Sequence, residues 1–164
     1  GQGSNFWFVV PFRKREPAVM APAASAETFS AEQALLAKYA GTRILLAEDE
    51  PITQEISREM LEDAGLAVDV AGDGQQAIEL ACQNHYALIL MDMQMPVMNG
   101  TEATQAIRAG WLNQTTPIIA MTANAFDDDR EACLAAGMNE HLSKPVEPQK
   151  LYATLLGWLG KCSD

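Results

Sequence analysis

The sequence predicts an α/β domain built on a doubly wound, five-stranded parallel sheet, and three observations point there. The runs Ile44-Leu45-Leu46-Ala47, Leu88-Ile89-Leu90-Met91 and Ile118-Ile119-Ala120-Met121 are short and continuously apolar, as central strands covered on both faces must be. Ile52, Ile56 and Met60 recur every four residues, as do Leu151, Leu155 and Leu159, the period of a helix with one apolar side. Gly65 and Gly137 stand where a helix would end before a strand, positions that favour a left-handed residue. Five strands then alternate with five helices over about 120 residues, the pattern of a sheet with helices on both faces.

In chain order, residues 1–12 open with a glycine turn and an aromatic, β-branched stretch (Phe6, Trp7, Phe8, Val9, Val10). That reads as a strand, and a lone strand cannot bury its faces, so it is expected to be the end of another domain. Residues 13–29 hold a charged cluster, Pro17, Pro22 and many alanines, which is linker chemistry. Ser30 with Gln33 forms a capping box for a short helix over 30–40, its apolar side made by Leu35, Leu36 and Tyr39, with Gly41 as its end. The main domain is expected over 42–164. Within it Ala67 to Ala71 alternates and 140–142 is weakly apolar, so both suit sheet edges. Asp73, and one acid among residues 127–129, are expected to cap the helices that follow them. Trp111 and Trp158 are expected to cover the core, Met95 and Met98 to pack the loop after Asp92, and His85 to lie at the surface.

Twenty-two acids oppose eleven bases, a net charge of −11. The first 41 residues carry four bases and three acids, so the acidity belongs to the remainder. Such a body repels a phosphate backbone, and direct nucleic-acid binding is not expected. Cys82, Cys133 and Cys162 lack metal-type spacing and read as reduced, mostly buried thiols. No apolar run approaches a bilayer span and no signal peptide is evident. The expectation is a cytoplasmic fragment that makes no membrane contact itself, compatible with a parent anchored in the inner membrane.

In a doubly wound sheet the ligand site lies beyond the carboxyl ends of the strands. The first central strand ends in Glu48-Asp49-Glu50, the next in Asp92, the next in Thr122-Ala123, and the weak last one in Ser143-Lys144-Pro145. Each has a bland explanation, as a helix-start acid, a loop residue or a surface lysine. Their joint position at successive strand ends does not. Converging carboxylates repel unless a cation resolves them, while Lys144 and Thr122 offer a charge and a donor to an anion such as a phosphoryl group.

From Thr42 onward the chain resembles a response-regulator receiver domain. The resemblance rests on Ile44-Leu45-Leu46-Ala47-Glu48-Asp49-Glu50, on Met91-Asp92-Met93-Gln94-Met95-Pro96-Val97-Met98-Asn99-Gly100, on Ala120-Met121-Thr122-Ala123 and on Leu142-Ser143-Lys144-Pro145. The fold it implies is the flavodoxin-like (βα)5 sheet. The run Met121-Thr122-Ala123-Asn124-Ala125 is similar to receivers fused to hybrid sensor histidine kinases. Residues 1–12 resemble the last strand of a histidine-kinase ATP-binding domain, without that domain's glycine boxes, so ATP binding is not expected.

The resemblance makes Asp92 the phosphoacceptor and gives Mg²⁺ to Asp49, Asp92 and the Gln94 carbonyl, with Glu48 acting through water. It turns Lys144, the Thr122 hydroxyl and the backbone N–H groups of Met93 and Ala123 toward phosphoryl oxygens. Small Ala123 leaves room for the group, and Lys144-Pro145 matches a cis peptide. His141 stands where the family often has an aromatic that rotates with Thr122 as a switch, and an ordinary edge-strand histidine is an equal reading of it. Gln94 and Asn124 match positions that tune acyl-phosphate lifetime. The implied partners are a phosphohistidine domain of the same chain or a dimer mate, and a histidine phosphotransfer domain. The fragment would accept a phosphoryl group and lose it slowly, kinase activity belonging to the parent. A phosphatase with an aspartate nucleophile would need a second acid where Gln94 stands. A pseudo-receiver would have lost Asp92, Lys144 or the acidic pair, and all are present.

Overall fold

The computed structural model describes residues 30–123 and 127–161, without the side chains of 127–130. The expected strand at 1–12, the linker at 13–29, Asn124 and Cys162 therefore lie outside the described residues, and Asp127 to Asp129, one of which was expected to cap the following helix, are instead its first three residues.

The elements are α1 (Ala31–Tyr39), β1 (Arg43–Ala47), α2 (Pro51–Asp63), β2 (Ala67–Ala71), α3 (Gly74–Gln83), β3 (Leu88–Asp92), α4 (Gly100–Ala109), β4 (Ile118–Thr122), α5 (Asp127–Ala136), β5 (Glu140–Ser143) and α6 (Pro148–Lys161). The strands form one parallel sheet in the order β2-β1-β3-β4-β5. As expected, the apolar β1, β3 and β4 are central and the weaker β2 and β5 are edges. The period of two divides each central strand between two cores. Ile44, Leu46, Leu88, Leu90, Ile119 and Met121 pack with Leu61 of α2 and Leu155 of α6. Leu45, Ala47, Ile89, Met91, Ile118 and Ala120 pack on the other face with Ala77 of α3 and Ala103 of α4.

Local signals set the helix starts. Ser30 and Gln33 form the capping box expected for α1, Asp73 accepts the Gln76 N–H at the start of α3, and Asn99 with Glu102 makes a second capping box at α4. Helix α1 is part of the folded body, because Leu35 is fully buried in the core that holds Leu61, Leu66 and Leu159. Gly65, at φ +82°, closes α2 as anticipated, and its bare Cα lets Leu36 of α1 lie against the turn.

Four expectations are corrected. Leu36 is 51% exposed, and Ile52 and Ile56 are also exposed. On α2 the inward stripe is shifted one residue, to Ser57 and Leu61. Trp111 is 95% exposed and covers no core, whereas Trp158 does pack on it. Cys82 is exposed, Cys133 buried. Among the described residues no helix is long and apolar enough to cross a membrane.

One buried polar cluster was not legible in the sequence. The Asn113 side chain, 1% exposed, accepts the Tyr86 N–H at 3.0 Å and donates to the carbonyls of Ala81 and Asn84 at 2.7 and 2.8 Å. Thr116 Oγ1 donates to the Tyr86 carbonyl, and Arg108 donates to the carbonyls of Asn113, Thr116 and Gly137. Burial holds the Arg108 guanidinium below its ordinary pKa. The loop joining α4 to β4 is thereby fixed to α3 and β3. Asn113→Ala strands three buried backbone groups, each costing about 1–3 kcal/mol. Urea unfolding should show a loss of about 2–4 kcal/mol, and a loss within error of zero would show that water replaces the amide.

Candidate functional site

Strand β1 delivers an acidic run to its carboxyl end, and the turn into α2 gives its three members different environments. Glu48 extends the ladder, its N–H donating to the Ala71 carbonyl at 3.0 Å, and is fully buried. Asp49 is exposed. Glu50 becomes the N-cap of α2, accepting from Ile52 and Thr53 backbone N–H at 3.2 and 2.6 Å, with Pro51 starting the helix. Hydrogen bonds from Thr53 hold the Glu50 carboxyl below its ordinary pKa.

Strand β3 ends in Asp92, which is 4% exposed. Its Oδ1 accepts the Gln94 N–H at 3.0 Å and its Oδ2 accepts from Lys144 Nζ at 2.6 Å. The chain must turn sharply here. Gly100 sits so close that a Cβ on it would lie 2.1 Å from the Asp92 carbonyl oxygen, so no side chain fits. In register, Asp92 pairs with Met121 of β4, which sets Thr122, also buried, one residue beyond. The Thr122 carbonyl accepts the Lys144 N–H at 2.7 Å. That bond fixes the lysine at the end of β5, before a cis Lys144–Pro145 peptide.

Lys144 thus reaches back across two strands. Its Nζ lies 2.7 Å from Glu48 Oε2 and 2.9 Å from Oε1, besides its contact with Asp92. Both Glu48 oxygens thus lie at ion-pair distance from the ammonium. Burial, with Asp92 nearby, raises the Glu48 pKa despite Lys144. Burial works to lower the Lys144 pKa, but its hydrogen bonds to Asp92 and Glu48 outweigh that and raise it.

Glu48, Asp49 and Asp92 each offer a carboxylate oxygen within 4.8 Å of the other two. An all-oxygen donor set of three carboxylates fits a small hard dication. The structure therefore brings together Glu48, Asp49, Asp92, Thr122 and Lys144 at one end of the sheet, with Gln94 beside them. Met93 and His141 lie to the side of this group. The Met93 N–H donates to the Met121 carbonyl at 3.1 Å, so the amide at the Asp92 carboxylate is that of Gln94. His141, half-buried on β5, lines a different cleft of about 240 Å³ with Cys133 and Leu134. Sequence reasoning missed the Gln94 N–H, because backbone donors leave no trace in residue identity.

The chain matches the family model for the response regulator receiver domain over residues 44–156. It is 38% identical over 122 residues to Sensor protein GacS of Pseudomonas syringae pv. syringae, a match covering 72% of this chain and 13% of that protein. Among solved structures it resembles the receiver domain of sensor histidine kinase PA1611 from Pseudomonas aeruginosa PAO1, which has a magnesium ion coordinated in its active-site cleft. The TM-score is 0.70 at 45% identity, covering 74% of this chain and 99% of that one. It also resembles the receiver domain of Saccharomyces cerevisiae Ssk1, solved with the histidine phosphotransfer protein Ypd1, at a TM-score of 0.68 and 28% identity, covering 73% and 89%.

Removing the lysine leaves the carboxylates facing one another. Lys144→Ala should cost about 3 kcal/mol in EDTA at neutral pH, the scale of breaking a buried pair. A raised Glu48 pKa means that its contribution is present below the ordinary value of 4.5 and lost as pH rises through the folded value. Without Lys144 that folded value climbs further, so the deficit of the variant should grow between about pH 5 and 8. Urea melts at the two pH values measure this. A deficit that is constant, or larger in acid, would contradict the arrangement.

Proposed function

The chain belongs to the response regulator receiver domain family, and from that premise we propose that Asp92 accepts a phosphoryl group from a phosphohistidine. The reading is carried by the Asp92 carboxylate, held at the mouth of the sheet between Lys144 Nζ and the Gln94 N–H. In the transfer an Asp92 carboxylate oxygen attacks phosphorus in line with the P–N bond. The O–P bond forms, and the imidazole nitrogen leaves with the bonding pair. Lys144 is placed to follow the negative charge from the carboxylate to the phosphoryl oxygens, and the Thr122 hydroxyl with the Ala123 N–H would meet oxygens on the β4 side. Ala123, exposed beside the buried Thr122, leaves the entrance open.

Glu48, Asp49, Asp92 and the Gln94 carbonyl would hold Mg²⁺, which when bound sets positive charge against the phosphoryl oxygens. Thr122 and His141 would carry the change of state away from the site, toward the α5–β5 side. The donor would be a phosphohistidine domain of a hybrid kinase or a histidine phosphotransfer domain, meeting this module in the cytoplasm. The exposed Ile52 and Ile56 on α2 support docking there, because the cleft of about 380 Å³ between Ile56, Met60 and Val146 borders Lys144 itself. An apolar helix face seated on it would bring a histidine to the strand ends.

Incubation with Mg²⁺ and acetyl phosphate, followed by intact mass, should add one phosphoryl group to the wild type and none to Asp92→Asn, whose amide is a poor nucleophile. Equal labelling of the variant would overturn the assignment. Mg²⁺ at a hundredfold excess over its dissociation constant should stabilise the wild type by about 2.7 kcal/mol, or about 5–10 °C in melting temperature. Asp49→Asn should melt higher than the wild type in EDTA and lose most of that response. A wild type indifferent to Mg²⁺ would remove the metal from the reading.

A further inference from the structure

Of the three clustered carboxylates, Asp49 is the one that no donor of its own holds in place. Glu48 and Asp92 share the Lys144 ammonium. Asp49 is exposed, and among the described residues nothing donates to its carboxylate. Its position within 4.8 Å of the other two is therefore set by the backbone that carries it. Glu48, just before it, lies one residue past the last paired position of β1, where the ladder no longer directs the chain.

The anchor at this point is Gln54, half-buried in the first turns of α2. Its Nε2 donates to the Glu48 carbonyl at 2.8 Å, a side chain reaching six residues back along the chain. Its own backbone N–H donates to the Glu50 carbonyl at 2.9 Å. One residue thus holds the carbonyls on both sides of Asp49. The neighbouring bonds continue the clamp, from Glu48 N–H to the Ala71 carbonyl and from the Ile52 and Thr53 N–H groups to the Glu50 carboxylate. Between them the only free part of this turn is the Asp49 side chain.

The residue type suits that task. A lysine or arginine of similar reach would also donate, but would set a second cation beside carboxylates that have to receive one. The amide is neutral, and its bond goes to a backbone carbonyl and to neither Asp92 nor Lys144. Resting on the reading of the site given above, we propose that Gln54 is a positioning residue for the cation site. By holding both carbonyls that flank Asp49, it sets that carboxylate in place before Mg²⁺ arrives. Mg²⁺ demands near-octahedral geometry, so a ligand on a loose turn would have to be ordered at binding, and prior ordering removes that cost. The transfer step does not depend on Gln54 once the ion is bound, because Asp92, Lys144 and Thr122 are placed by the strands.

Calorimetric titration of the full chain with Mg²⁺, beside acetyl phosphate uptake at rising Mg²⁺, tests it. Gln54→Met keeps the length and lacks the donor, and Gln54→Asn keeps the amide but falls one methylene short. Each should raise the Mg²⁺ dissociation constant about fivefold, the weight of one hydrogen bond, and move half-saturation of uptake by the same factor. The rate of uptake at saturating Mg²⁺ should stay that of the wild type, a split that a merely weakened fold does not produce. In thermal melts each variant should gain less than the wild type from the same Mg²⁺ concentration. A wild type that neither binds Mg²⁺ nor takes up phosphoryl would remove the reading of the site, and this proposal with it. A wild type that does both would leave three results that overturn the proposal alone. These are variants with the wild-type dissociation constant, variants slow even at saturating Mg²⁺, and a drop in melting temperature equal in EDTA and in Mg²⁺.

Discussion

The contact on which the site depends is the Lys144 ammonium lodged between Glu48 and Asp92. Two carboxylates and the nearby Asp49 fall within 4.8 Å of one another, and each like-charged pair at that range costs about 1–4 kcal/mol. Glu48, fully buried, has no water to help it. The fold answers with one cation reaching across two strands from the edge, and the ladder bond from Lys144 N–H to the Thr122 carbonyl sets its starting point. A parallel sheet makes this possible because every strand ends on the same side. The order β2-β1-β3-β4-β5 puts the acidic ends of β1 and β3 side by side.

That arrangement is a compromise. The ammonium lies 2.9 and 2.7 Å from the two Glu48 oxygens and 2.6 Å from Asp92 Oδ2, and burial still keeps the Glu48 pKa raised. Two buried carboxylates that share one ammonium cost stability that apolar packing would not. Such a cost is expected where a cation and a phosphoryl group are to be received, since a site already neutralised would bind neither. Around it the scaffold is conventional, with β1, β3 and β4 dry on both faces.

The central strands, the edges and the cap at Asp73 were legible in the sequence because each rests on local chemistry, an apolar run or a side chain that competes for a helix N-terminus. So were the acids at the strand ends, once the strand count placed those ends together. What escaped notice depends on the third dimension. The four-residue spacing of Ile52 and Ile56 identified a helix but not which side it buries, and the small Ser57, not the isoleucines, faces the sheet. Trp111 is apolar enough to read as core, but the polar anchors beside it, Asn113 and Thr116, take the buried positions of that loop. The Gln94 N–H that meets the Asp92 carboxylate follows from the turn after β3, which residue identity does not encode.

The run Glu48-Asp49-Glu50 shows how backbone geometry assigns chemistry among like residues. At the last ladder position the alternation of a strand turns Glu48 inward, where burial makes its charge expensive and therefore responsive to a cation. The next residue, Asp49, is exposed yet keeps a carboxylate oxygen within 4.8 Å of Glu48 and Asp92, where an incoming ion can reach it first. One residue later the chain has begun to turn, and Glu50 spends both oxygens on the N–H groups of Ile52 and Thr53, so it is committed to the helix and unavailable to the site. Had the helix begun one residue earlier, Asp49 would be the cap and the exposed member of the cluster would be lost. The start at Pro51, whose ring suits the first turn of a helix and lacks a donor to satisfy, therefore helps to fix how many carboxylates face the phosphoacceptor.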